Sequence, residues 1–164
     1  MSLEVRAATL DDLDAVLALH KAAAVAPGGL ARSPDEITRA YVEGALGAEI
    51  CLVAVAADGA VVGEIHARRE TPALFAHVLG GLTVAVRPDR QGQGVGSKLF
   101  EALIARARVL DPPILRIELA TGAANLGAVR LYERLGFRRE GRQTARGRYP
   151  DGRFEDDILM GMLL

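Results

Sequence analysis

Apolar residues recur along this chain with two periods, two and about 3.6, and each change of period marks a new element. Leu3-Glu4-Val5-Arg6 alternates as a first strand. Thr9 precedes Leu10-Asp11-Asp12-Leu13 as an N-cap with acidic residues in the first turn. Leu10, Leu13, Val16, Leu17 and His20 follow at helical spacing, and Pro27-Gly28-Gly29 ends that helix. Ser33-Pro34-Asp35-Glu36 reads as a capping box with proline at the first helical position, which predicts a second helix to about Leu46. Two helices after a first strand leave a groove edge for a substrate to enter. Strands near Glu49–Ala56 and Ala60–Arg69 are joined by Asp58-Gly59, a hairpin signal. Another strand runs from about His77 to Val86, and Gly80-Gly81 inside it predicts a bulge. Val95, Leu99, Leu103, Ala107 and Leu110 give a third helix one apolar face, stopped by Asp111-Pro112-Pro113. Ile114–Leu119 alternates again, and Asn125 begins a fourth helix closed by Gly136. Strands near Phe137–Arg146 and Arg153–Leu163 end the chain around the turn Tyr149-Pro150-Asp151-Gly152. The order βααβββαβαββ predicts an α/β fold with a mixed sheet and helices on both faces.

Between the third of the central strands and the third helix lies the chain's main chemical signal, Gln91-Gly92-Gln93-Gly94-Val95-Gly96-Ser97. A strand, a glycine loop and a helix N-terminus together make an anion site. Unpaired N–H groups of the first turn converge there, and the helix dipole adds about half a positive charge. A phosphorylated ligand is therefore expected. A P-loop is excluded, because Lys98 follows Ser97 rather than glycine and Leu99 stands where a magnesium-binding hydroxyl belongs. A dinucleotide fingerprint started at Gly92 or Gly94 would place its third glycine on Ser97 or Leu99.

At 164 residues and 17.4 kDa, the chain is most simply one domain, residues 1–164. Its net charge of −1 argues against a general nucleic-acid binder. No apolar run approaches the roughly 20 residues of a membrane span. The opening Met1-Ser2-Leu3-Glu4-Val5-Arg6 lacks the character of a signal peptide, so a cytoplasmic location is expected. Cys51, alone of its kind, sits in an apolar run and reads as a buried strand residue. His20 and His77 have no partner at metal-ligand spacing, so no metal site is expected.

Two segments carry a resemblance to a known family. Gln91-x-x-Gly94-x-Gly96 resembles the diphosphate-binding Q/R-x-x-G-x-G/A loop of the GNAT N-acetyltransferases. Asn125-Leu126-Gly127-Ala128-Val129-Arg130-Leu131-Tyr132-Glu133-Arg134-Leu135-Gly136-Phe137 resembles their N-x-x-A-x-x-[LF]-Y-x-x-x-G-F segment, and lies one strand after the glycine-loop helix as that fold requires. The tail from Tyr149 to Met160 is similar to subfamilies acting on amino acids or small amines. The resemblance implies a mostly antiparallel, twisted GNAT-like sheet, acetyl-CoA as cosubstrate, no metal, and transfer of an acetyl group to a primary amine of a small molecule. It implies diphosphate binding by Gln91, Gly92, Gln93, Gly94, Gly96 and Ser97. The pantetheine arm is expected along Leu82, Val84 and Val86, with Asn125 and Ala128 also at the cofactor. Homodimers are frequent in such folds.

Aminolysis of a thioester needs a deprotonated amine and a protonated leaving sulfur. The resemblance implies Tyr132 as the acid. As a base, the family's relatives often carry a glutamate before the Val84-Ala85-Val86 stretch, where this chain has Leu79-Gly80-Gly81-Leu82-Thr83. Glu64, His66 and Glu118 are the replacements, or a water chain. Glu64 and His66 share one strand face. Arg68-Arg69 and Arg146-x-Arg148 are candidate carboxylate grips or solvated charge. The missing carboxylate leaves a silent acyl-CoA-binding module as the alternative, and acetylation of a protein N-terminus or lysine as another.

Overall fold

The computed structural model describes residues 3–164, so Met1 and Ser2, which open the stretch read for a signal peptide, lie outside the described residues. The strands β1 (Leu3–Ala7), β2 (Ile50–Ala56), β3 (Val61–Arg69), β4 (Val78–Val86), β5 (Arg116–Gly122), β6 (Arg138–Arg148) and β7 (Phe154–Leu163) form one sheet in the order β1-β2-β3-β4-β5-β7-β6. All pairs are antiparallel except β4 with β5. Helices α1 (Leu13–Ala24) and α2 (Arg39–Leu46) cover one face, where Leu13, Val16 and Val42 pack on Val53, and Leu19 and Ala23 on Ala85. Helices α3 (Val95–Arg108) and α4 (Leu126–Leu135) cover the other, packing Leu99, Phe100, Leu103 and Tyr132 in one cluster with Ile65, Leu79 and Ile117. The expected element order and the helices on both faces are both present.

The period-two rule assigns the side chains of β3. Ile65 and Ala67 join the α3 cluster, whereas Glu64 reaches His20 on α1 and His66 lies beside it. Gly63 belongs to the α3 face, and a Cβ there would stand 2.8 Å from Val95 and 2.9 Å from Leu99. That close approach seats the first turn of α3 directly on the sheet. Among the described residues, no helix is long and apolar enough to cross a membrane.

Local signals placed the elements well and some boundaries less so. The Ser33 capping box is formed, but it closes only a 3-10 turn, Pro34–Glu36. Ile37 then leaves helical geometry at ψ 87°, and α2 starts afresh with Thr38, whose hydroxyl accepts from Tyr41 N at 3.1 Å. Likewise Leu10–Asp12 is a 3-10 turn ahead of α1, braced by Arg6, which pairs with Asp12 at 2.8 Å. β5 begins at Arg116 rather than Ile114 and continues to Gly122, because β7 pairs with it that far.

Candidate active site

The glycine loop before α3 follows from backbone conformations that only glycine adopts freely. Gly92 and Gly94 hold φ of 72° and 82°, and Gly94 is the N-cap of α3. The first i→i−4 bond of the helix is Lys98 N to Gly94 O, 3.1 Å, so the N–H groups before it lack that partner. A methyl added at Gly92 or Gly94 would meet nothing within 4 Å, so the space above the loop is open. The loop is tied beneath, where Gln93 donates to Asp89 O at 3.0 Å and Asp89 pairs with Arg87 at 2.7 Å. These residues fit a diphosphate. They leave the donors free, the backbone uncovered, and the helix dipole aimed at the gap.

β4 and β5 pair only at Val78–Arg116 and Leu79–Ile117, and then part. The cause is the glycine pair. Gly81 takes φ 55°, and the β3–β4 register slips between His66 and Arg68. Beyond Leu79 the β5-facing edge of β4 is without a strand neighbour. The resulting cavity of about 660 Å³ is bounded by Leu82 and Thr83 of β4, Glu118, Leu119 and Ala120 of β5, and Met160 of β7. Its size suits a ligand arm. Thr83 also borders a second pocket of about 410 Å³ on the α1–α2 side, with Leu30, Arg32, Glu36 and Tyr41. One residue thus borders both cavities.

Tyr132 lies in an aromatic cluster, 5.2 Å from Phe100 and 6.0 Å from Phe137 between ring centroids. It is 7 % exposed, and burial alone raises its pKa to about 12, so the hydroxyl keeps its proton at any working pH. Asn125 is the α4 N-cap expected of it, its oxygen accepting from Ala128 N at 3.1 Å. Its amide also donates to Gly28 O at 3.2 Å, which clamps α4 to the loop after α1. Nothing in the local sequence announced that second bond.

On the α1 face, Glu64 lies between two imidazoles. Its carboxylate contacts His20 Nε2 at 2.6 Å and His66 Nδ1 at 2.9 Å, and accepts from Cys51 Sγ at 3.2 Å. All of Glu64 and His20 is buried, and His66 is 3 % exposed. Burial opposes ionisation of Glu64, but the bonds and charges of the two histidines outweigh it and hold its pKa below the ordinary carboxylate value. Burial and the Glu64 charge push the Cys51 thiol up, so it stays protonated.

The expectation that His20 stands apart from any ligand cluster is corrected here. Spacing in sequence could not show it, because 44 residues separate His20 from Glu64. The donor atoms of His20, Glu64 and His66 all fall within 4.8 Å of one another. The two contacts of 2.6 and 2.9 Å are hydrogen-bond lengths. Two ligands on one tetrahedral zinc stand about 3.3 Å apart, given metal–ligand bonds near 2 Å. As it stands, the arrangement is a hydrogen-bonded set.

A model of the Acetyltransferase (GNAT) family matches residues 15–137, well over half of the chain. The chain belongs to the GNAT family. Its curated relatives include the [ribosomal protein bS18]-alanine N-acetyltransferase of Escherichia coli (strain K12), 41% identical over 81 residues. That match covers 48% of this chain and 51% of the relative. A kanamycin resistance protein of Rhizobium radiobacter is 39% identical over 61 residues, 37% of this chain and 52% of that one. The chain spans about half the length of the curated relatives it matches. Among solved structures, a GNAT superfamily phosphinothricin acetyltransferase from Sinorhizobium meliloti, in complex with AcCoA, superposes with a TM-score of 0.87 at 21% identity. That alignment covers 100% of this chain and 89% of the other. A GCN5-related N-acetyltransferase from Kribbella flavida gives 0.85 at 28% identity over 99% and 98%.

Within this GNAT fold, the sequence-predicted positions fall in different places. Gln91 to Ser97 sit together at the head of α3, and Leu82, Val84 and Val86 lie on β4 alongside the cavity or the α3 cluster. Glu118 borders the cavity but is paired with Arg116 at 3.1 Å and half-exposed. Glu64 and His66, the candidate bases on one strand face, are buried on the opposite face of β3 from α3. The arginine pair 68–69 serves structure, since Arg68 donates to Gly44 O at 2.6 Å and Arg69 to Ala76 O at 2.6 Å and Pro112 O at 2.9 Å. Arg148 stacks over Phe154, 6.0 Å from its ring.

Proposed function

We propose that this GNAT chain transfers an acetyl group from acetyl-CoA to a primary amine of a small molecule, amino acids included. The observation that carries the reading is the succession along β4 of three features: a second pocket sharing Thr83 with the slot, a parting of β4 from β5, and, after the strand, a glycine loop at the head of α3. In this reading, main-chain N–H groups of Gln93, Gly94, Gly96 and Ser97 hold the diphosphate, and Gln91, whose own N–H is bonded to Pro88 O, and Gly92 line the same site. Leu82, Val84 and Val86 offer their free strand edge to the amides of the pantetheine arm. Asn125 and Ala128 border the same arm. When bound, acetyl-CoA supplies an acyl group on a good leaving sulfur. Tyr132 donates to that sulfur as it departs.

The acceptor side is the pocket of about 410 Å³, and its modest size supports a small amine. Arg32 lies over Tyr41, 4.6 Å from the ring centroid, and offers a cation for an amino-acid carboxylate. A protein N-terminus is the second reading, favoured by the 41% identity to the bS18-alanine enzyme. A thiol-release assay with acetyl-CoA, a panel of amino acids and small amines, and an alanine-ended peptide tests both. Turnover with small amines and none with the peptide is the expected result. Tight binding of acetyl-CoA with no turnover on any acceptor would overturn it and leave a silent acyl-CoA-binding module. Homodimerisation belongs to the same proposal and is read by sedimentation.

A further inference from the structure

A buried carboxylate held by two imidazoles is an expensive thing for a fold to keep. An apolar trio of like volume commonly serves stability as well or better. Its value must lie in what the protons can do. An ionised carboxylate only accepts hydrogen bonds, so His20 Nε2 and His66 Nδ1 both carry hydrogen toward Glu64. Each neutral ring is then left with one bare nitrogen. For His20 it is Nδ1, the one fully buried side-chain nitrogen or oxygen among the described residues with no hydrogen-bond partner. That atom is a dead end. For His66 it is Nε2, and the residue keeps a small exposed surface.

Two neighbours of His66 show where that surface opens. Thr83 faces His66 across the β3–β4 pair, and the Tyr41 ring lies 6.3 Å away. Both border the acceptor pocket, and Thr83 borders the slot as well. We infer that His66 is the proton acceptor for the amine, with Glu64 and His20 as positioning residues that fix its tautomer from behind. This rests on the acetyl-transfer reading above and names the base that reading leaves open, in place of the carboxylate β4 lacks.

The proton balance is simple. The amine nitrogen bonds to the thioester carbonyl carbon, and the carbon–sulfur bond breaks with its electron pair going to sulfur. The proton shed by nitrogen passes to His66 Nε2, directly or through one water, and then to solvent. The sulfur takes a proton from solvent with Tyr132 as its hydrogen-bond donor. While both rings are neutral the cluster is anionic through Glu64, so the arriving proton cancels a buried charge. Other groups around His66 do not compete. Cys51 on β2 and Tyr41 on α2 are both held protonated by burial and the Glu64 charge, and Thr83 on β4 is neutral. Two cations lie further out, Arg32 over Tyr41 and Arg68 bonded to Gly44 O.

The test combines spectroscopy on the unaltered protein with two variants. In ¹⁵N-labelled wild type, imidazole correlation spectra should show His66 with hydrogen on Nδ1 and none on Nε2. The kcat/KM profile for the acceptor should fall toward acid as the proton acceptor is lost. His66→Gln should lower kcat at least about a hundredfold and abolish that acid limb, with acetyl-CoA affinity within about twofold. Glu64→Gln should keep the limb, move it to lower pH and lower kcat less. A folded His66→Gln enzyme with its acid limb intact overturns the assignment, as does an Nε2–H tautomer in wild type, which needs no variant to fold. Failure of the acetyl-transfer reading is distinguishable, because wild type would then release no thiol with any amine.

Discussion

Replacing Tyr132 by phenylalanine removes one oxygen from the cluster with Phe100 and Phe137 and leaves every ring contact in place. The consequence for stability follows from burial. The residue is 7 % exposed, and desolvation alone accounts for its raised pKa, with no hydrogen bond or nearby charge contributing. A buried hydroxyl without a partner costs about 1–3 kcal/mol on protein scales. Tyr132→Phe should therefore be as stable as wild type or up to about 1 kcal/mol more so, since some solvent contact survives. The alkaline side sharpens the expectation. The folded-state pKa is raised from about 10 to about 12, so both states keep the proton below pH 10. Between pH 10 and 12 the unfolded chain ionises first, and stability falls over that window by at most about 2.7 kcal/mol. The variant should lose that part of the alkaline decline.

Turnover should move the other way. A donor with a pKa of about 12 does not hand its proton wholly to a thiolate, whose conjugate acid is ordinarily near 8.5. It stabilises the departing sulfur through a charge-assisted hydrogen bond worth about 1.5–3 kcal/mol. That is about ten- to a hundredfold in kcat. Thiol release at saturating acetyl-CoA measures it, calorimetry checks that acetyl-CoA affinity is within about twofold, and urea melts at pH 7 and 11 give the stabilities. A rate within twofold of wild type, together with lower stability at pH 7, would refute the reasoning and leave Tyr132 as a packing residue.

Gly94→Glu places a carboxylate in the open space above the loop, so calorimetry should detect no acetyl-CoA binding while the melt falls only by the cost of φ 82° for a side chain, about 1–2 kcal/mol. Gly63→Ala drives a methyl to 2.8 Å from Val95 and 2.9 Å from Leu99, and should cost about 1–3 kcal/mol in urea melts because α3 must lift. Asp12 is bonded by Arg6 at 2.8 Å and Thr9 N at 2.8 Å, and the Arg6 bond outweighs burial to hold its pKa below the ordinary carboxylate value. The stability it gives is therefore present above the usual carboxylate pKa and lost as pH falls through its own. Asp12→Asn should lower stability at pH 7 by about 1–2 kcal/mol and flatten the acid decline.

Features written within a few residues were legible in the sequence. Gly94 and Gly92 sit where positive φ is needed, Asn125 caps α4 through Ala128 N, and Gly136 ends it at φ 103°. The Asp58-Gly59 hairpin and the bulge at Gly80-Gly81 are equally local. Where two local signals competed, the nearer one misled. Ser33 and Thr38 are both good caps, and only the packing of Val42 against Val53 selects the later start for α2.

The choice of His66 among the candidate bases was illegible for a different reason. Glu64 and His66 were visible as a pair on one strand face, yet a strand with two polar residues reads as a solvated face until something covers it. What covers it is α1, which brings His20 from 44 residues away, and α2, which brings Tyr41. By itself, then, the sequence determined turns, caps, strand alternation and the glycine loop ahead of α3, because a backbone dihedral or an i to i+3 bond depends on neighbouring residues. The tertiary structure alone decided the burial of Glu64 and the insertion of β7 between β5 and β6. Those depend on which distant surfaces exclude water from one another, and no local pattern carries that information.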